Sequence, residues 1–217
     1  MAGQREQARR AVMADITAEG RRQLARDGAA GLSVRSIARE LDMASSAIYR
    51  YVASRDELLT LLIVAGYDRL GAVLERTAVD RDGRAQWLAR GEAVRTWAHA
   101  NPHEYALLYG SPVPGYAAPQ DTIDPATRVY AALAEPLRGS TLEPTAAPAP
   151  LAADGAAITE TLGLDLPPAA GLVLVQAWAG LFGLLSLELF GHTNNVITDH
   201  AAFFTHHLET LADTLGL

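Results

Sequence analysis

Two groups of side chains in this 217-residue chain are candidates for chemistry: six histidines, and the tyrosine–arginine–tyrosine triplet within SSAIYRYV, residues 45–52. The histidines are His99, His103, His192, His200, His206 and His207. A metal site on a helix needs its ligands on one face, as in the i, i+4 histidines of His-Glu-x-x-His. His99 and His103 have that spacing, but Asn101-Pro102 interrupts the helix that would align them. His206 and His207 are adjacent and diverge. Neither His-Glu-x-x-His nor Gly-x-Ser-x-Gly nor Gly-x-Gly-x-x-Gly occurs. Cysteine is absent, which removes disulfides, thiolate zinc sites and cysteine nucleophiles. Lysine is absent too, which removes the P-loop lysine, Schiff-base chemistry and the Ser-x-x-Lys pair. The chain is not expected to be an enzyme, and no metal or cofactor is expected.

The triplet points elsewhere. On a helix of 100° per residue, Ser46, Tyr49 and Arg50 share one face, with Ala47 at its edge. Ile48 and Val52 point the opposite way, and Tyr51 lies on the flank. A helix enters the DNA major groove only if its front is not bulky, and Ser45, Ser46 and Ala47 provide that front. Tyrosine hydroxyls reach phosphates, and arginine pairs with guanine O6/N7 or with phosphate.

Such a helix must be held by others. Residues 8–27 read as a first helix closed by Asp27-Gly28. Ser33 caps a second, with Val34, Ile37, Ala38 and Leu41 at i, i+3, i+4, i+7. Asp42-Met43-Ala44 is a short turn, and residues 45–52 follow. Helix, turn, helix is the arrangement in which the second helix reads bases with its N-terminal residues. Ser54-Arg55-Asp56-Glu57 is a capping box that launches a long helix to about Arg76.

Charge divides the chain in the same place. Residues 1–60 hold ten arginines and eight acids, a net of +2, so the total of −7 leaves −9 for residues 61–217. Polyanion contact is therefore confined to the N-terminal part. Helices are expected at 84–100, 103–109 and 125–138, with a Pro/Gly-rich loop GSPVPGYAAP between the last two. An Ala/Pro-rich mobile surface connection covers about 139–154. Residues 169–187 contain only Gln176 and Ser186 as polar side chains, close to the length of a membrane span. No arginine follows Arg138 to orient a span, so a helix buried in protein is expected, with no membrane partner. Ile197, Ala201, Phe204, Leu208, Leu211 and Leu215 step by 4, 3, 4, 3, 4, a seam that wants a partner helix. With Leu181 and Leu185 of the apolar run, it is expected to pair two chains in a four-helix bundle. The competing reading packs both helices on their own subunit.

Residues 32–59, LSVRSIARELDMASSAIYRYVASRDELL, resemble the DNA-binding signature of the TetR family of transcriptional regulators. Asp42 stands where that family usually has a turn glycine. The resemblance implies an all-α chain, with a three-helix DNA-binding domain at 1–54 and a ligand-binding and dimerisation domain at 55–217. It places Ser33 and Arg35 at phosphate or base contacts, and Ser45, Ser46, Ala47 and Arg50 at the base-reading edge. Tyr49, Tyr51 and Arg55 fall at phosphate contacts, although Tyr51 also fits a core ring and Arg55 a solvated charge. Residues 100–119 and 176–192 resemble ligand domains of a subgroup with a Trp…His-Gly signature, with Phe182 where the histidine is expected. Candidate ligand residues are Trp97, His99, Tyr105, Tyr109, Trp178 and Phe182, all of which also fit an ordinary core or surface role. The implied protein is a cytoplasmic homodimer on a palindromic duplex operator, acting most simply as a repressor and released by a small apolar or aromatic molecule. A helical interaction module without DNA binding is the alternative.

Overall fold

The computed structural model describes residues 2–77, 82–140 and 142–217. The helices are α1 (Ala2–Asp27), α2 (Val34–Glu40), α3 (Ser45–Ile48), α4 (Arg55–Arg76), α5 (Gly83–Ala100), α6 (Pro102–Tyr109), α7 (Ile123–Ala134), α8 (Ala152–Thr161), α9 (Pro168–Leu189) and α10 (His200–Thr214). Among the described residues there is no strand, as the all-α reading expects.

The chain forms two compact units whose boundary is not the expected 54/55. A head comprises Met1–Arg69 and Asn101–Ala126, and a body comprises Leu70–Ala100 and Thr127–Leu217. The head keeps most of α4 and takes back α6 with the proline-rich loop, because those segments complete its core. Ile16, Leu24, Leu32, Val34, Ile37, Ile48, Val52, Leu58, Leu59 and Leu62 are buried together, with Leu107, Val113 and Tyr116 packed against them. Glu104 of α6 is buried and accepts from Arg21 at 2.7 Å, and it also pairs with Arg69. These two arginines tie α1 and α4 to α6. Burial, and then the repulsion of Arg21, lower Arg69 to about 10, which leaves it cationic at neutral pH.

In the body, α10 packs on α5 and α9. Gly91 of α5 permits this closeness: a Cβ there would lie 2.5 Å from a Leu208 methyl. Trp87 donates its indole N–H to the Leu208 carbonyl at 3.0 Å. The other close approach joins α8 to α9, where a Cβ on Gly171 would sit 2.4 Å from the Gly155 carbonyl oxygen.

These contacts correct the expected dimer seam. Leu181, Leu185, Phe204 and Leu208 are fully enclosed within their own chain. Ile197 and Leu211 are half-buried, and Ala201 is exposed. Facing outward instead are Val175, Ala179, Gly183, Leu187 and Phe190 of α9, a stripe at spacings of 4, 4, 4 and 3, with Phe203 on α10. Helix α9 is long and apolar enough to cross a membrane, and its inner side packs into the body. The expected mobile connection is shorter than 139–154: a 3-10 turn at Ala149–Leu151 runs straight into α8. Thr141 of that connection lies outside the described residues.

Candidate nucleic-acid interface and body cavity

Local chemistry sets the frame of the helix-turn-helix. Ser33 caps α2, its hydroxyl oxygen accepting from the Ser36 N–H at 3.3 Å. The Ser33 N–H is in turn held by Gln23 Oε1 at 2.8 Å, which anchors the start of α2 to α1. Helix α2 ends in a Schellman motif. The Met43 N–H reaches the Ala38 carbonyl at 2.8 Å, and the Asp42 N–H reaches Arg39 at 3.3 Å. That geometry needs a left-handed residue, and Asp42 supplies it with φ 51°. The departure from glycine noted in the sequence is thus a real backbone strain.

Regular α-helix in α3 covers only Ser45–Ile48, less than the expected 45–52. Bonds from Arg50 N to Ala47 O, Tyr51 N to Ile48 O and Val52 N to Ile48 O continue the coil as a tightened turn. Its two sides are those expected. Ile48 and Val52 are buried, while Ser45, Ser46, Tyr49 and Arg50 are exposed and Ala47 lies at the margin. Tyr49, 40% exposed, keeps its hydroxyl end available on the same surface as the Arg50 guanidinium. Arg35 is exposed at the start of α2.

Two expected phosphate contacts have other partners. Tyr51 is half-buried against the head core, with the Arg9 guanidinium carbon 5.5 Å from its ring centroid. Arg55 donates from Nη2 to the Ala29 carbonyl at 2.8 Å, bracing α4 against the α1–α2 connection. The capping box forms as read: the Glu57 N–H meets Ser54 Oγ at 3.1 Å, and the Glu57 carboxylate accepts from the Ala53 N–H at 2.6 Å. Sequence reasoning missed Arg9 and the Tyr116–Thr60 hydroxyl pair at 2.9 Å, both products of long-range packing.

The candidate ligand residues fall into separate groups. Tyr105 and Tyr109 belong to the head, their rings 5.2 Å apart. Trp97 is buried in the body. His99 is exposed, and its Nε2 lies 2.7 Å from Glu188, which Arg95 also grips at 2.6 and 3.1 Å. Burial alone would raise Glu188, but the bonds from Arg95 and His99 outweigh it and hold its carboxyl below the ordinary value. Only Trp178 and Phe182 share a place. Tyr130 lies 4.4 Å from the Trp178 ring and 6.3 Å, edge-on, from Phe182. Phe182 is buried and Trp178 lines a cavity of about 220 Å³. Its other walls are Thr127 and Tyr130 of α7, and Ala157, Ile158 and Thr161 of α8 with Leu162. These were missed: α8 was hidden in an Ala-rich stretch without an apolar period, and Tyr130 lay inside an unremarked helix.

Comparison with known proteins agrees with this anatomy. Residues 16–62 match the tetR family of bacterial regulatory proteins, and residues 87–211 match a tetracyclin repressor-like C-terminal domain. The HTH-type transcriptional regulators Mb1846 of Mycobacterium bovis and Rv1816 of Mycobacterium tuberculosis are each 42% identical to it, over 99% of this chain and 96% of theirs. The crystal structure of SCO4313, described as a regulatory protein, is 31% identical with a TM-score of 0.78, covering 96% of this chain and 98% of that one. These relatives are transcriptional regulators and not enzymes. With its helix-turn-helix head and helical ligand domain, the chain belongs to the TetR family of transcriptional regulators.

Proposed function

We propose that this regulator is a cytoplasmic homodimer that represses from a palindromic operator and is released by a small apolar or aromatic molecule bound in its body. The exposed edge of Ser45, Ser46, Tyr49 and Arg50, backed by buried Ile48 and Val52, is the observation that carries the DNA contact. Ser45, Ser46 and Ala47 enter the groove, Arg50 reads a base, and Tyr49, Arg35 and the Ser33 hydroxyl hold phosphates. Arg55 acts by fixing the start of α4, and Tyr51 by packing.

Pairing is supported by the outward stripe on α9, whose regular spacing suits a second copy related by a two-fold axis. A dimer would present its recognition helices roughly 34–36 Å apart, one duplex turn. The chain passes between head and body within α4, between α5 and α6, and within α7. A ligand that favours one disposition of the body over another changes half-site spacing through these connections, and only by its differential affinity.

A mobility-shift assay on the DNA flanking the protein's own coding region tests the reading. Specific binding that weakens steeply with salt is expected, since phosphate contacts release counterions. Arg50→Ala should cost about 1–3 kcal/mol and relax sequence preference, whereas Tyr49→Phe should weaken all sites alike. Absence of binding at low salt, or indifference to both substitutions, would leave an interaction module without DNA binding.

A further inference from the structure

The cavity between α7, α8 and α9 lies wholly within the body and opens beside an aromatic wall. At about 220 Å³ it is smaller than the roughly 300–1,000 Å³ of drug-sized sites, which excludes large polycyclic molecules. Its lining is mainly apolar, with Thr127 and Thr161 the hydroxyl-bearing side chains. The stacked rings of Tyr130 and Trp178, 4.4 Å apart, offer a flat surface. Behind that surface the indole Nε1–H of Trp178 is buried with no acceptor among the described residues. A buried donor without a partner is costly, so an acceptor brought within reach recovers a hydrogen bond.

We infer that this cavity is the effector site, and that its ligand is a small planar aromatic molecule of one or two rings carrying a carbonyl-type acceptor for Trp178. The assignment rests on the ligand-responsive reading above and sharpens it to one site. Arginine and acid are missing from the lining, so a charged ligand would be desolvated without a counterion. Burial pushes the Tyr130 phenol up, which keeps this wall neutral. Two of the walls can respond. Helix α8 rests on α9 through the Gly155–Gly171 contact, and α7 begins in the head unit before its Thr127 and Tyr130 reach the cavity. A ligand held between α7 and α8 therefore acts on a helix that both units share.

Coumarin and naphthalene are suitable probes, alike in shape but differing in the acceptor. Calorimetry on the full-length protein, without DNA, should show saturable binding of coumarin, about five- to tenfold tighter than naphthalene. Trp178→Phe should abolish that difference while leaving naphthalene unchanged. Ala157→Phe, at an exposed position on α8, should fill the cavity and weaken both probes more than tenfold without lowering the melting temperature. No saturable coumarin binding up to about 1 mM, or wild-type binding by Ala157→Phe, overturns the site. Equal affinity for the two probes overturns the acceptor pairing with Trp178. Coumarin that binds as expected but leaves operator affinity unchanged supports the site and refutes the release mechanism instead.

Discussion

Asp42→Gly should make the protein more stable. Asp42 is exposed, so the substitution removes no packing, and its φ of 51° is a conformation in which a Cβ is crowded. A left-handed L-residue costs about 1–2 kcal/mol, with aspartate near the low end because its short polar side chain tolerates the region. Glycine removes that cost but adds about 0.5–1 kcal/mol of unfolded-state entropy. The expected net gain is about 0.5–1 kcal/mol, with both Schellman hydrogen bonds retained. Over a chain of this length it corresponds to a rise of about 1–4 °C in Tm. Differential scanning calorimetry with urea titration measures it. Asp42→Asn separates backbone from charge, since asparagine accepts the same φ; it should leave stability near wild type and tighten DNA binding by removing a negative charge beside α3. Asp42→Ala keeps the Cβ, loses the polar side chain and should be the least stable of the set. If alanine proves as stable as glycine, the left-handed turn is not the source of the strain.

Three other outcomes follow from the body. Glu188→Gln should cost about 2 kcal/mol at neutral pH, because Arg95 loses a buried carboxylate partner. Since Glu188 is held below its ordinary value, its contribution is present above pH 4.5 and lost as pH falls through the lowered value; the variant's acid unfolding curve should be flatter there. Gly171→Ala forces a methyl against the Gly155 carbonyl and should destabilise by about 1–3 kcal/mol in thermal melts, more than Gly183→Ala, where a Cβ meets open space. Leu187→Glu, at a position 46% exposed on the chain alone, should yield monomers in sedimentation with unchanged helicity, and a persistent dimer would move the interface elsewhere.

The sequence determined what depends on neighbours along the chain. The Ser33 cap, the Ser54–Glu57 box, the span of α4 to Arg76 and the two-sidedness of residues 45–52 all arise from side chains within one helical turn. The misfit at Asp42 was legible for the same reason: the turn demands a φ that its residue type resists. Tertiary structure decided what covers each face. The regular seam of Phe204 and Leu208 marks an apolar stripe, but periodicity cannot say whether it meets a second chain or α5, and the absence of a side chain at Gly91 settles it for α5. Helix α9 is apolar on every side, so its pattern carries no direction, and its outward stripe is known only once α5 and α10 have taken the other faces. Tyr51 and Arg55 are held by Arg9 and Ala29, residues more than twenty-five positions away whose approach no local pattern encodes. The cavity, too, exists only because two glycines let α8 settle on α9 beside Tyr130.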